Sequence, residues 1–423
     1  MKWQMIGFLC GVMVLWCSVS GSGEEAATGA KATEVAWPRY RGPRGDSISL
    51  ENDWRPAALS PAPKIQWRAQ VGQGYSSVCI AGQCLYTMGY GDGQDTVYCL
   101  DVECGKEVWR FNYACEEGSY PGPRATPLFA DGRLYTVGRT GLLHCLDVAS
   151  GKMLWKLDMV ADANGKPPQW GIASSACLDG DLVVVNVGRY GLAVNRHTGK
   201  VEWQSPKDLC GYASPVFYQA EGRRCMVCYG EKAAYGVEVK SGKLLWSQPW
   251  ISRLSQHSAD PVVWQEHVFI SSVYSKGCTL FSIAGGEARE VWLNQQMTNK
   301  FGTSVLIDGN LFGIHGNAGS DGEGLLRCVD FMTGKVRWEQ DMLRMSTLSA
   351  AGNKLLILTE NGYLHVAEVR ADAYRELARG RVIVSDTSRE KAAPGKCWTA
   401  PVLCRGRVFC RSDRGVLVCV DMR

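Results

Sequence analysis

The chain has 423 residues, of which 46% are hydrophobic and 21% charged. This balance is that of a globular protein and excludes long intrinsic disorder. The net charge of +4 and the pI of about 8.2 are too small, and the charges too dispersed, to predict binding to nucleic acid or to an anionic membrane.

The first residues have the pattern of a secretory signal. Lys2 supplies a positive charge, and Met5–Trp16 is an uncharged apolar stretch of 12 residues. Ser18 and Ser20 offer the small side chains that signal cleavage needs. A membrane-spanning helix needs roughly 20 apolar residues, so we predict a cleaved signal peptide over residues 1–23, with an uncleaved anchor as the alternative.

Lipid attachment is not expected at this signal. Trp16 precedes Cys17 at the position where a lipoprotein signal carries a small residue. The sequence therefore predicts an exported protein, periplasmic or secreted, with no integral membrane span in the mature chain. Residues 24–63 are interpreted as an N-terminal extension that is disordered over residues 24–36.

An internal repeat determines the expected architecture. Each full copy runs from an Asp-like residue through a Gly-Lys turn to a tryptophan, as in CLDVECGKEVW at 99–109 and CLDVASGKMLW at 145–155. Eight copies are recognisable, of which two lack the tryptophan. The tryptophans are separated by 42, 46, 48, 43, 46 and 46 residues, and they are Trp67, Trp109, Trp155, Trp203, Trp246, Trp292 and Trp338. A period in the forties is typical of propeller blades or helical repeats.

Short apolar runs and turn pairs within each repeat favour β-strands. Leu182–Asn186 and Val268–Ser271 have the length of strands, and pairs such as Asp131-Gly132 are typical of β-hairpins. Nothing in the sequence shows a sustained helical period. We therefore predict an all-β, eight-bladed β-propeller of four-stranded blades over residues 64–423, with 45 residues for each blade.

The two ends of the repeat region predict how the ring closes. Trp67 precedes the first complete blade, whereas the last repeat ends after its third strand at Arg423. We therefore expect residues 64–70 to supply the outer strand of the last blade, which locks the ring. Within each repeat, the turn Gly permits a positive φ, the Asp accepts hydrogen bonds from turn amides, and the Trp packs between neighbouring sheets.

Sixteen of the 18 cysteines lie beyond the signal, where an exported chain could oxidise them. Four of them occupy one column of the repeat, in which other copies carry Ala, Gly or Val. This column needs a small apolar side chain, and free Cys serves as one. The four are Cys99, Cys145, Cys328 and Cys419, and they are not expected to pair, because packed sheets lie about 10 Å apart.

Two other cysteine pairs have suggestive spacing. Cys225 and Cys228 resemble a metal knuckle, but an offset of three along a strand places the two sulfurs on opposite faces. No metal site is therefore expected there. Cys79 and Cys84 flank a predicted two-residue turn, and a cross-strand disulfide between them is one alternative.

The LDxxxGKxxW pattern resembles the tryptophan-docking repeat of pyrroloquinoline-quinone (PQQ)-type propellers. That family contains quinoprotein alcohol dehydrogenases and BamB-type outer-membrane assembly lipoproteins. The resemblance covers residues 64–423. Three further stretches resemble exported PQQ-binding-like repeat proteins of planctomycete-type bacteria, and these are Trp37–Gly42, Gly122–Pro127 and Cys397–Pro401.

The resemblance implies two functions of different classes. A quinoprotein dehydrogenase typically stacks PQQ between a Trp and a disulfide of adjacent cysteines, holds calcium with Glu and Asn or Asp, and uses an Asp as base. This sequence contains no adjacent cysteines, and it lacks the lipobox of BamB-type proteins. No resident cofactor is therefore expected, with PQQ and calcium as the alternative.

In a propeller, the loops that lead into the innermost strands line one mouth of the central channel. The repeat register places a varied set of side chains there, and the candidate ligand-binding residues are Tyr75, Arg124, Thr126, Trp170, Tyr212, His257, Lys300 and Trp398. The same register adds Ser214, Asp260, Phe301, Met345, Cys397 and Thr399. Cationic side chains suit an anion or a carbonyl group, and aromatic rings suit a planar ring or a sugar. The alternative interpretation is that these side chains only pack the channel.

Two functional hypotheses follow. The first is a monomeric, non-catalytic binding or scaffold module of the cell envelope, which presents its loops to a protein partner or a surface polymer. The second is a PQQ-dependent oxidoreductase acting on an alcohol or sugar, with Asp260 as base and Trp398 as stacking partner. A glycoside hydrolase would need two carboxylates in the channel, and only Asp260 is predicted there.

Overall fold

The computed structural model describes residues 36–274, 276–316, 324–384 and 395–423. The predicted signal peptide over residues 1–23 and nearly all of the predicted disordered stretch, residues 24–36, lie outside these ranges. The boundaries of the signal and of the extension therefore stay predictions.

The described residues form eight antiparallel sheets of four strands, one of which gains a short parallel strand at its inner edge. The sheets follow one another along the chain as blades 1 to 8, so the predicted eight-bladed all-β propeller is confirmed. The strands are Cys79–Ala81, Cys84–Gly91, Gln94–Asp101 and Glu107–Ala114 in blade 1; Leu128–Ala130, Arg133–Val137, Leu142–Asp147 and Met153–Asp158 in blade 2; Cys177–Asp179, Leu182–Val185, Leu192–Asn195 and Val201–Gln204 in blade 3; Val216–Ala220, Arg223–Tyr229, Ala233–Glu238 and Leu244–Pro249 in blade 4; Val262–Trp264, His267–Ser272, Gly277–Ser282 and Arg289–Asn294 in blade 5; Val305–Ile307, Asn310–His315, Leu325–Asp330 and Val336–Asp341 in blade 6; Ser346–Ala351, Lys354–Thr359, Tyr363–Glu368 and Glu376–Arg381 in blade 7; and Val402–Cys404, Arg407–Arg411, Val416–Asp421 and Ile65–Gln70 in blade 8.

Helical structure is confined to three short 3-10 turns in the described ranges, at Pro56–Leu59, Arg253–Ser255 and Ala284–Gly286. None of these helices has the length and hydropathy that crossing a membrane requires.

The ring closes through the N-terminal strand, as predicted. Ile65–Gln70 pairs antiparallel with Val416–Asp421 and forms the outer strand of blade 8. The interior of the closure is held by Arg411 of blade 8, whose fully buried guanidinium donates to the Met88 carbonyl of blade 1 at 2.6 Å. The last blade is therefore joined to the first at both its outer edge and its core.

Most of the outer-strand tryptophans contact the following blade. Trp67 donates a hydrogen bond from its indole nitrogen to the Val102 carbonyl of blade 1 at 3.0 Å, and its ring packs against Gly105. Gly105 has a φ of +70°, and a Cβ there would lie 2.5 Å from the indole, so the turn requires glycine on both counts. Asp101 accepts hydrogen bonds from the amides two and three residues later, as predicted. The same indole-to-carbonyl bond joins Trp109 to Val148, Trp155 to Arg196, Trp203 to Val239, Trp292 to Phe331 and Trp338 to Arg370.

Two blades depart from this pattern. In blade 4, Trp246 donates to the Tyr218 hydroxyl of its own blade at 2.9 Å and not to the next blade. The next blade, blade 5, carries a 3-10 turn where most blades carry the Gly-Lys turn. Blade 7 has no outer tryptophan, and Ala378 lies at that position opposite Val366. Leu59, from the segment before the first strand of the ring, is fully buried in the same cluster and covers the smaller residue.

The repeat column of small apolar residues lies opposite the tryptophans. The cross-strand pairs are Cys99–Trp109, Cys145–Trp155, Ala193–Trp203, Gly236–Trp246, Cys328–Trp338 and Cys419–Trp67. All four cysteines of this column are buried and free, as predicted. In blade 5 the larger Leu280 lies opposite Trp292, so a small side chain is usual at this position but is not required by the indole.

The other two cysteine pairs have different outcomes. Cys225 and Cys228 lie in separate core clusters, which confirms the predicted placement of the two sulfurs on opposite faces of their sheet. The disulfide alternative for Cys79 and Cys84 is wrong, since both are free. The turn is one residue later than predicted, so Cys84 pairs with Ala81 and Cys79 lies two positions away along the hairpin.

We expect Trp67→Ala to lower the free energy of unfolding by about 3–5 kcal/mol, because it removes a buried ring and leaves the Val102 carbonyl without its donor. The denaturant midpoint measures the loss. Trp264→Ala is the matched control, since Trp264 is 36% exposed and forms an edge contact with Phe331. It should cost less than about 1.5 kcal/mol. Equal losses from the two variants would contradict the assigned role of Trp67 in closure.

Candidate functional site

A segment before the first blade passes through the central channel. Trp37 exchanges two backbone hydrogen bonds with Ile80 of blade 1, at 2.9 and 2.8 Å. Further along, Ile48–Ser49 forms the short parallel strand beside Ala350 and Ala351 at the inner edge of blade 7. The channel segment, residues 36–49, therefore crosses from blade 1 to blade 7 along the inner strands.

The channel segment forms a buried ion pair with blade 5. Arg41 donates to Asp260 of blade 5 across 3.4 Å, and their side chains are 7% and 3% exposed. Arg41 also donates to the Ser47 hydroxyl, and Asp260 accepts a hydrogen bond from the Ser214 amide at 2.8 Å. Burial raises the pKa of Asp260, while Arg41 and the amide of Ser214 oppose that rise. Asp260 is thus a paired structural carboxylate in this arrangement.

Asp260 is also one member of a ring of hydrogen bonds around the channel. In each of five successive steps, a backbone amide donates to the side-chain oxygen of the equivalent residue in the next blade, at 2.8–3.1 Å. The members are Ser77, Thr126, Ser175, Ser214, Asp260 and Thr303, one from each of blades 1 to 6. The sequence prediction missed this ring as a unit. A recurring Ser, Thr or Asp before Pro at 126, 214 and 260 is the signal that could have revealed it.

A cavity of about 220 Å³ lies above the channel segment, at the mouth that the repeat register predicted. The predicted residues that line it are Tyr75, Arg124, Trp170, Tyr212, Ser214, Asp260, Lys300, Phe301, Trp398 and Thr399. Trp37, Tyr40, Arg41 and Ser47 of the channel segment also line it, and the sequence prediction did not assign them to the mouth. The mouth is thus built jointly by the blades and by the N-terminal segment.

Four predicted residues do not line the cavity. Thr126 is engaged in the hydrogen-bond ring, and Met345 and Cys397 are buried in core clusters. His257 lies against Tyr229, with ring centroids 4.3 Å apart, and bonds to the Ser272 hydroxyl and the Glu231 carbonyl. Burial lowers the pKa of His257 to about 4, so its imidazole is neutral at physiological pH.

Aromatic rings form two walls of the cavity. Trp398 stacks on Phe301 at a centroid distance of 4.2 Å and on Tyr75 at 5.5 Å. Trp170 and Tyr212 form the second aromatic pair at 5.8 Å. Burial raises the pKa of both Tyr75 and Tyr212 to about 12, so both phenols remain protonated. The walls therefore offer flat apolar surface together with hydroxyl groups.

Two cationic side chains line the cavity without a carboxylate partner among the described residues. Arg124 donates to the carbonyls of Gly122 and Tyr120, at 2.6 and 2.8 Å, and so fixes the loop that carries Tyr120. The Lys300 ammonium lies over the rings of Phe301 and Trp398, at 4.8 and 5.5 Å from their centroids. Burial and the charge of nearby Lys396 lower the pKa of Lys300.

The comparison with known proteins begins with sequence. The profile of the family described as outer membrane protein assembly factor BamB matches residues 93–340, more than half of the chain. The chain belongs to this BamB family. A search of curated proteins found no match.

Solved structures share the BamB-family propeller fold. BamB from Moraxella catarrhalis has a TM-score of 0.60 at 15% identity, over 84% of this chain and 99% of that one. The quinohemoprotein alcohol dehydrogenase from Comamonas testosteroni has a TM-score of 0.69 at 10% identity, over 91% and 80%. The computationally designed protein Ika8 has a TM-score of 0.56 at 12% identity, over 85% and 99%. At these identities the likeness concerns the fold alone, and the narrower resemblance to planctomycete-type proteins stays a prediction.

In the ranges that the structure describes, no three His, Cys, Asp or Glu side chains come together as a metal-binding group.

We expect Arg41→Met to destabilise the protein by about 3–5 kcal/mol, because it leaves the Asp260 carboxylate buried without its partner. Adding Asp260→Asn should restore most of this loss, since the amide carries no charge and keeps an acceptor for the Ser214 amide. Thermal and denaturant midpoints of the three proteins measure the effect. An Arg41→Met variant as stable as the parent, or a double variant no better than the single, would contradict the assigned pairing.

Proposed function

We propose that this BamB-family propeller is a non-catalytic binding module whose ligand enters the mouth of the channel. The observation that carries the proposal is the state of Asp260. It is the one carboxylate among the described residues that line the cavity, and Arg41 and the Ser214 amide already engage it. The cavity thus presents aromatic, hydroxyl and cationic groups for binding, and no unpaired acid for proton transfer.

The residues at the mouth do not fit calcium-bound PQQ. The resemblance implies a Trp and a disulfide of adjacent cysteines around the quinone, whereas Trp398 stacks on Phe301 and the sequence has no adjacent cysteines. The Trp398 indole nitrogen donates to the Glu360 carboxylate at 3.0 Å, so this acid next to the cavity wall is also engaged. Asp260 is held by a cation, and a bound calcium ion would have to compete with it.

A PQQ-dependent oxidoreductase acting on an alcohol or sugar is the second candidate. It is favoured by the fold likeness to the quinohemoprotein alcohol dehydrogenase and by the aromatic walls of the cavity. In that candidate, Asp260 acts as base and Trp398 as stacking partner, which requires Arg41 to leave its ion pair.

The proposal includes an exported location in the periplasm or outside the cell, without lipid attachment. The exported location rests on the signal pattern of residues 1–23, and the absence of lipid attachment rests on Trp16 before Cys17. The proposed partner lies in the envelope and is either a protein or a polymer. We propose that the protein acts as a monomer.

The two candidates are separated by a ligand panel measured on the purified mature chain. The panel contains PQQ with calcium, neutral disaccharides, acidic disaccharides and aromatic acids, and each is titrated while the melting temperature is followed. A ligand at 100 times its Kd should stabilise the native state by about 2.7 kcal/mol. We expect a saturable shift from a ligand other than PQQ, and no dye-linked oxidation of alcohols or sugars.

Trp398→Ala and Trp264→Ala provide the matched pair for this panel, since Trp398 lines the cavity and Trp264 lies in a hairpin of blade 5. The shift should be lost in the first variant and kept in the second. A PQQ-dependent shift with turnover would establish the oxidoreductase instead. The absence of any shift would contradict a small-ligand site at the mouth.

A further inference from the structure

The cavity at the mouth is closed at its inner end. Trp37 and Arg41 are 3% and 8% exposed, and Tyr40 is partly buried beside Thr303. These three side chains come from the channel segment, which bonds to the inner strands of blades 1 and 7. A ligand therefore enters and leaves by the same opening, and a polymer could insert an end but could not pass through.

The charge of the lining is positive. Four charged residues of the described chain line the cavity, and the ion pair of Arg41 and Asp260 cancels two of them. Arg124 and Lys300 remain, which leaves a formal charge of +2 in the lining of a cavity that is open at the mouth and partly shielded from solvent. Low dielectric strengthens the attraction between such charges and an anion.

Lys300 is the cation that is free to bind. Arg124 already donates to backbone carbonyls of its own loop, so its charge is fixed in place. The Lys300 ammonium contacts two rings and interacts through its charge with Lys396 and Glu360, and it makes no hydrogen bond or ion pair within the described ranges, so its three protons are available. A half-buried ammonium without an acceptor is costly unless water or a ligand supplies one.

The remaining groups suit a hydroxylated ring. Ser77, Ser175, Ser214, Thr303 and Ser349 place hydroxyl oxygens in the lining of the cavity, one from each of five blades. The aromatic walls supply flat surfaces beside them. Ser175, Ser214 and Thr303 each accept a backbone amide, and a hydroxyl that accepts still carries one proton to donate. A sugar presents an apolar ring face to the aromatic walls and several hydroxyl oxygens that can accept from such donors.

We infer that the mouth binds the terminal, carboxylate-bearing sugar of a glycan, with Lys300 holding the carboxylate and the serine and threonine hydroxyls of the lining facing the sugar hydroxyls. This inference rests on the proposed function, because it names the ligand class of the same site. It adds that the ligand is negatively charged, that its ring is a sugar ring, and that this sugar is the last one of the glycan.

Matched disaccharides test it on the full mature protein. Cellobiouronic acid and cellobiose share one skeleton and differ by a carboxylate in place of a hydroxymethyl group at the non-reducing end. Calorimetric titration should show the acid binding about tenfold or more tighter than the neutral sugar. This difference in affinity should shrink as salt is raised from about 20 to about 300 mM, because added salt shortens the Debye length and screens the attraction between Lys300 and the carboxylate. A trisaccharide with neutral glucose added at the non-reducing end should bind more weakly than the acid, because its carboxylate is no longer terminal.

The variant pair is Lys300→Met and Lys354→Met. Lys354 also lies over an indole, that of Trp54 at 5.5 Å, but it begins the second strand of blade 7 and does not line the cavity. Lys300→Met should abolish the preference for the acid and keep the binding of cellobiose, whereas Lys354→Met should behave as the parent. Both variants should keep the parent melting temperature within about 2 °C, since each removes only an exposed or half-buried charge.

Equal affinity for the two disaccharides, an unchanged preference in Lys300→Met, or binding of neither sugar would overturn the inference. In each of these cases the proposed function still stands if another member of the ligand panel binds without turnover. Turnover with PQQ would instead remove the proposed function, whatever the sugars do.

Discussion

The propeller depends on the contact between the tryptophan of one blade and the turn of the next. A four-stranded sheet leaves its outer edge and both faces to be covered, and a ring of such sheets is stable only if neighbours are fixed to one another. Here the indole supplies buried area, and its nitrogen supplies a directional bond to a carbonyl, as Trp67 does toward Val102. The glycine of the turn leaves the space for the ring, and a small residue such as Cys419 lies opposite six of the seven tryptophans.

A second constraint acts on the axis of the ring. Eight blades leave a central channel, and in this chain residues 36–49 occupy it. The ion pair of Arg41 and Asp260 lies on that axis and converts a carboxylate that could have served catalysis into a structural group. The mouth above it keeps aromatic rings, hydroxyls and the unpaired Lys300. Fold and proposed function are therefore linked, because the same segment that closes the channel forms the floor of the binding cavity.

The features that recur in most blades were predictable from sequence. The Asp, Gly and Trp columns, and the closure by residues 64–70, follow from local turn chemistry repeated along the chain, so each copy supports the others. Most of the mouth residues, such as Tyr75 and Trp398, followed from the same register.

The features that occur once were not predictable. Arg41 and Asp260 are 219 residues apart, and no pattern connects them. The repeat register predicted His257 at the mouth. Its side chain instead stacks on Tyr229 and bonds to Ser272, so it does not line the cavity. The disulfide alternative for Cys79 failed because a shift of one residue in the turn changes every cross-strand partner.

The central claim is that the chain's own N-terminal segment closes the channel beneath the mouth. Amide hydrogen exchange of the mature protein, read by mass spectrometry on peptides covering residues 36–49, tests this most directly. The account predicts that the amides of Trp37 and Ser47, which donate to backbone carbonyls of Ile80 and Arg41, exchange as slowly as those of the inner strands. Exchange over residues 36–49 at the rate of an unstructured peptide would show an open channel, and it would return Asp260 to the list of groups free for catalysis.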